Sequence, residues 1–222
     1  MPSEDDIVFK HIAIEGVLKC GKTQLANILA QKIGGKVVSD HKENPYLKDF
    51  YDEKEGTAFL TQLVFLVNRY HQQAQLLQRN LFEDRIISDY LMEKDKIYAY
   101  QTLMDDELLV YEKIYNIFLD RVAKPDLTIY LQISLPTLLK KLAREGTETE
   151  KNISEKYLED LLEAFDYFFF NYPAKSLLVV KADDLDFNNE EDIQDLINTI
   201  KKMKRSPLFY VPISKSNKDS KG

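Results

Sequence analysis

Residues Phe9–Thr23 read FKHIAIEGVLKCGKT. The apolar run through Ile12, Ala13 and Ile14 predicts a buried strand. It ends at Gly16-Val17-Leu18-Lys19-Cys20-Gly21-Lys22-Thr23, a full match to the phosphate-loop pattern G-x-x-x-x-G-K-[ST]. Beyond it, Leu25, Ile28, Leu29 and Ile33 fall at helical spacing. A strand, a glycine loop and a helix in that order are the context the pattern requires. Glycines let backbone N–H groups curl around phosphate oxygens, and the helix N-terminus adds positive potential. Lys22 is placed to reach terminal phosphates and Thr23 to ligate Mg²⁺. Cys20 reads as a small filler, with no base beside it.

The alternation continues outward. Residues 36–40 (KVVSD) and 85–89 (RIISD) read as short strands, 127–133 (LTIYLQI) and 177–181 (LLVVK) as further apolar ones. A continuous apolar strand suits a parallel sheet covered on both faces. Phe59, Leu63, Leu66, Val67, Tyr70, Ala74 and Leu77 trace one face of a long helix. Further helices are expected at 93–103, 106–122, from Pro136, from Ser154 to near Tyr172, and at 190–204, with an exposed polar loop at 145–152. The expected fold is α/β: a P-loop NTPase three-layer sandwich around five parallel strands. Residues 1–204 form one domain with a lid near 141–152. In the tail, 205–222, PLFYVP is left to pack against the body, and ISKSNKDSKG is expected to be disordered.

Composition narrows the function. With 222 residues, 44% of them hydrophobic, the chain can bury one sizeable core. No apolar run reaches the ~18 residues of a membrane helix, and the acidic start MPSEDDIVFK lacks a signal peptide's basic region. A single cysteine excludes an internal disulfide, and with three histidines it argues against structural zinc. A net charge of −7 argues against a nucleic-acid partner. These features predict a cytoplasmic protein without membrane association. The loop alone fits small kinases, GTPases and motor ATPases, but no N-K-x-D guanine motif follows. One compact domain with a polar loop before a late long helix favours a small-molecule kinase.

At this point the chain resembles the deoxynucleoside kinase family, in particular its bacterial deoxyadenosine/deoxyguanosine kinase-like members. The resemblance runs from about residue 10 to 200 and rests on ordered segments: IAIEGVLKCGKTQLA, VVSDHKENPYLKDFY, TQLVFLVNRYHQ, SDYLMEKDKIYA, KPDLTIYLQ, YLEDLLEAFDYFF and LDFNNEED. It implies ATP-dependent, Mg²⁺-assisted 5′-phosphorylation of a deoxynucleoside, with a purine favoured. Asp40 ends the second strand where the family has an acidic general base, usually Glu. Tyr51 matches a tyrosine on the sugar 3′-hydroxyl and Glu150 its carboxylate partner. Gln62 matches the glutamine that reads the base edge, and Arg69 an arginine at the base. Phe59, Phe65 and Tyr70 are candidate ring surface, and 185–191 resembles the segment over the donor adenine.

Two features depart from the family. Where many relatives have Glu-Arg-Ser, this chain has Ser88-Asp89-Tyr90. Asp89 is then the expected Mg²⁺ carboxylate beside Thr23. Lys94 is a better source of compensating charge than Asp84-Arg85, which sits at the strand's wrong end. The lid sequence R-G-R is replaced by Arg144-Glu145-Gly146-Thr147, leaving Lys141 and Arg144 to act on the phosphoryl group. Two alternatives stay open: a nucleoside monophosphate kinase of the thymidylate kinase type, and a catalytically weak nucleotide-binding relative. The aromatic helix LLEAFDYFFF and the family's habit of pairing through helices imply a homodimer.

Overall fold

A computed structural model describes residues 7–40, 43–79, 85–173, 176–203 and 206–212. The chain alternates strands and helices: β1 (His11–Glu15), α1 (Lys22–Ile33), β2 (Lys36–Val38), α2 (Leu47–Tyr51), α3 (Thr57–Arg79), β3 (Ile86–Ser88), α4 (Lys94–Thr102) and α5 (Asp105–Leu119). There follow β4 (Leu127–Gln132), α6 (Leu135–Glu145), α7 (Glu148–Lys151), α8 (Glu155–Phe170), β5 (Leu177–Lys181), α9 (Glu190–Lys202) and β6 (Leu208–Tyr210).

The strands form one parallel sheet in the order β2-β3-β1-β4-β5-β6. The α/β expectation holds, but the sheet has six strands rather than five. The added strand lies in the stretch read as tail. Leu208, Phe209 and Tyr210 pair with Leu178, Val179 and Val180, and the Tyr210 hydroxyl donates to the Asp192 carbonyl at 3.2 Å. Three residues after a proline carry too little periodicity to declare a strand; the open edge of β5 supplies the missing signal. The tail's last residues, 213–222, lie outside the described residues, as does Asp84. Residues 145–152 are not wholly loop either: Thr147 and Glu150 close a capping box that starts α7.

Every residue of β1 is buried, and β4 is buried up to its last residue. That accounts for their unbroken apolar character. Strand β1 lies between β3 and β4, so the chain reverses its winding direction beside it. Ligands of open α/β sheets gather outside the strand carboxyl ends at such a reversal. Glu15 and the phosphate loop, Asp40 after β2, and Asp89 after β3 all lie at that end. The opposite end is stitched structurally: Asp126 accepts N–H bonds from Lys10 and His11, and Arg85 donates to the carbonyls of Phe9 and Ile7. Arg85 therefore stands away from the strand carboxyl ends, as its place at the start of β3 implied.

Candidate active site

The phosphate loop has the backbone its glycines allow. Gly16 and Gly21 take φ of 154° and 110°. A Cβ on Gly16 would come 2.6 Å from the Leu131 carbonyl oxygen, and one on Gly21 the same distance from the Phe187 ring. No larger residue fits either position. The Lys22 ammonium lies across the loop, donating to the carbonyls of Gly16 at 2.7 Å and Val17 at 2.8 Å. Beneath it is Glu15, fully buried, a residue the sequence reading passed over. Its two oxygens accept from the N–H groups of Gly16 and Leu91, both at 2.8 Å, tying the loop to the segment after β3. Cys20 is buried, and burial pushes its thiol up, in keeping with a filler rather than a nucleophile.

A cavity of about 530 Å³ opens beside the loop. Its lining includes Lys22, Thr23, Asp40 and Asp89, and also Tyr51, Gln62, Arg69 and Glu150. The structure thus brings these sequence-derived candidates into one space. The Thr23 hydroxyl donates to Asp89 at 2.6 Å, and the other Asp89 oxygen accepts the Asp40 N–H at 2.6 Å. One hydroxyl and one carboxylate at a phosphate loop suit Mg²⁺, which binds a few protein oxygens and fills its octahedron with water and substrate phosphates. The described residues contain no cluster of three His, Cys, Asp or Glu around a metal position, and such a site does not require one.

Asp40 is the most constrained carboxylate of the group. Its two oxygens accept from Arg69 Nε and a terminal guanidinium nitrogen, each at 2.8 Å, and Lys94 Nζ adds a bond at 2.9 Å. Burial alone would raise the Asp40 carboxyl, but the Lys94 ammonium and the Arg69 guanidinium outweigh it and hold it well below the usual carboxylate range. Lys94 therefore supplies cationic charge after β3. Arg69 has a further partner absent from the sequence reading, Asp95, which is buried and bonded to its other terminal nitrogen. Burial pushes Asp95 up to about 6 despite Arg69, and its Oδ2 has no hydrogen-bond partner.

The cavity walls are partly aromatic. Phe65 lines them and lies under the Arg69 guanidinium, 5.0 Å from carbon to ring centroid. Phe59 and Tyr70, the other expected rings, instead pack into the second core cluster, Tyr70 stacked on Phe118 at 4.0 Å. Phe50, Tyr98 and Tyr157 complete the lining in their stead. They come from three different helices, so nothing in the local sequence groups them. Tyr51 stays a hydroxyl donor, pushed up to about 12 by burial and the nearby Glu150 carboxylate. Gln62 is buried and donates to the Thr102 hydroxyl at 3.2 Å.

Lys141 and Arg144, the two cations expected on a lid, are not brought into the cavity. Arg144 is bound to its neighbour Glu145 with its side chain 73% exposed, and Lys141 lies 5.9 Å from the Phe187 ring centroid. Glu145, Thr147 and Glu150 are what this segment presents to the cavity.

Comparison with known proteins agrees with this geometry. A family model described as deoxynucleoside kinase matches residues 12–204. A deoxyguanosine kinase of Bacillus subtilis is 35% identical over 86% of this chain and 96% of its own length. A deoxyadenosine kinase of Dictyostelium discoideum is 27% identical over 84% of this chain and 77% of its own. A solved deoxyadenosine kinase from M. mycoides with bound dATP superposes with a TM-score of 0.71 at 26% identity, covering 87% of this chain and all of that one. With its phosphate loop, its cavity and its matched length in agreement, the chain belongs to the deoxynucleoside kinase family, enzymes that transfer a phosphoryl group to a deoxynucleoside.

Proposed function

We propose that the protein transfers the γ-phosphoryl group of ATP to the 5′-hydroxyl of a purine deoxynucleoside. The observation that carries this reading is the position of Asp40. A doubly held carboxylate lies in one cavity with the phosphate loop, Tyr51 and Gln62. The names of the relatives above support a purine, and a dATP-bound relative supports an adenine nucleotide donor.

Residue roles follow from chemistry. The loop N–H groups and Lys22 hold the β- and γ-phosphates, with Lys22 exchanging loop carbonyls for phosphate oxygens. Thr23 and Asp89 would hold Mg²⁺, which would supply positive charge to the phosphates when bound. Arg69 and Lys94 keep Asp40 ionised and aimed. Asp40 then orients the attacking hydroxyl and takes its proton as the new P–O bond forms. Tyr51 and Glu150 hold the sugar, and Gln62 reads the base edge. Lys141 and Arg144 stand outside the cavity, so a part for either requires the lid to close.

ATP consumption against a panel of deoxynucleosides and their monophosphates tests the reading. Turnover with deoxyguanosine or deoxyadenosine is expected. Turnover with monophosphates alone would assign the thymidylate kinase type of reaction, and none with any acceptor would leave a nucleotide-binding relative. The reading extends to a homodimer. Tyr167 and Phe170 of α8 are 75% and 87% exposed, beside Tyr100 of the adjoining α4. Exposed rings in that number mark an interface. Light scattering should give twice the 25.9 kDa chain mass, and a monomer after Tyr167→Glu with Phe170→Glu.

A further inference from the structure

Phosphoryl transfer spreads negative charge over three equatorial oxygens, which preorganised cations must meet. The lid segment brings none into the cavity: Arg144 is bound to Glu145, and Lys141 faces Phe187. Among the described residues the cavity-lining cations are Lys19, Lys22, Arg69 and Lys94. Arg69 and Lys94 are engaged by Asp40, on the acceptor side. Lys22 is committed to the β- and γ-phosphates, for which it exchanges the loop carbonyls of Gly16 and Val17. Lys19 is left.

Lys19 occupies the fourth position of the loop with φ of 57°. That is left-handed backbone, which glycine adopts freely and other residues only at a cost. A lysine here accepts strain at a point of the loop within reach of Glu150. Its ammonium reaches Glu150 Oε2 at 2.9 Å, and that oxygen also accepts the Thr147 N–H at 2.7 Å. The capping box of α7 thus fixes the carboxylate that receives Lys19. Both side chains keep solvent access, 24% for Lys19 and 22% for Glu150. A multiply charged phosphoryl group offers the ammonium more negative charge than the single Glu150 carboxylate and so competes for it.

We propose that Lys19 is a catalytic residue that meets the transferring phosphoryl group from the phosphate loop, in place of the lid cations Lys141 and Arg144, which stand outside the cavity. Glu150 holds the ammonium beside the transfer path until phosphate takes it. The proposal rests on the kinase reading above.

The test uses wild type, Lys19→Met and Lys19→Arg, with saturating MgATP and deoxyguanosine or deoxyadenosine. Methionine keeps the chain length and removes the charge. kcat should fall about 100-fold in Lys19→Met, the cost of losing one preorganised group at a developing charge, and arginine should retain most of it. Equilibrium binding gives the second readout. In Lys19→Met, affinity for ADP should be unchanged, while affinity for ADP with aluminium fluoride, a mimic of the group in flight, should fall at least tenfold. A kcat within threefold of wild type overturns the proposal. So does an equal loss of affinity for both ligands, which would make Lys19 a loop-shaping residue. Wild type inactive on every deoxynucleoside would overturn the kinase reading itself, and this proposal with it.

Discussion

Removing Arg69 exposes how the site is held. The guanidinium makes two bonds to Asp40, a third to Asp95, and covers the Phe65 ring. Arg69→Leu fills much of the volume but leaves Asp95, wholly buried and with one oxygen already unpartnered, without its hydrogen-bonded counter-charge. Stripping one partner from a buried pair costs roughly 3–5 kcal/mol, a large share of a domain's ~5–15 kcal/mol. The loss must also depend on pH. The Asp95 carboxyl is already raised to about 6 in the folded protein, so its contribution to stability is present below the unfolded value near 3.8 and is lost as pH rises through 6. Arg69 is among the influences that lower it; without Arg69 it rises further, and the loss extends to neutral pH. The Asp40 carboxyl is depressed, so its contribution is complete above its unfolded value and constant between pH 5 and 8. Asp95 therefore makes the variant's deficit larger at pH 8 than at pH 5. Urea unfolding followed by far-ultraviolet circular dichroism measures it. Arg69→Leu with Asp95→Leu should recover part of the deficit at pH 8, because no uncompensated charge remains at position 95. A deficit below about 1 kcal/mol at pH 8, or one equal at both pH values, would refute this account.

Other substitutions test the remaining assignments. Lys22→Ala should abolish turnover while leaving the circular dichroism spectrum unchanged, since its bonds are to loop carbonyls at the surface of the cavity; retained turnover would remove the loop from the reaction. Asp40→Asn should lower kcat by ~10²–10⁴ with a smaller change in KM, because the amide keeps the shape but takes no proton; a change in KM alone would make Asp40 a binding group. Glu15→Gln should cost about 1–3 kcal/mol of unfolding free energy and weaken ATP binding. The amide has one acceptor oxygen for two N–H donors and turns its NH₂ toward one of them. Unchanged urea midpoints and ATP affinity would count against that coupling.

Much of the molecule follows from local sequence. The phosphate loop is legible because its requirements are contained in eight residues: glycines where φ is positive, a buried strand before and a helix after. The strands β1, β4 and β5 declare themselves by unbroken apolar runs, since both faces of the sheet are covered. Family likeness in sequence named Asp40, Tyr51, Gln62, Arg69, Asp89 and Glu150, and the fold gathers them around one cavity.

The remainder depended on contacts between residues distant in the chain. Strand β6 exists because β5 offers an edge, and three residues carry no periodicity of their own. Phe59, Phe65 and Tyr70 share helical spacing, yet only Phe65 lines the cavity, because neighbouring helices decide which face is covered. Asp40 looks like any turn aspartate until α3 and α4 bring Arg69 and Lys94 to it, from 29 and 54 residues away. Sequence determined which ionisable groups this protein carries and the loop that receives phosphate. Tertiary structure decided which charges stand together and how strongly each carboxylate holds its proton, because a proton's affinity is set by burial and neighbouring charge, and both are properties of the folded arrangement.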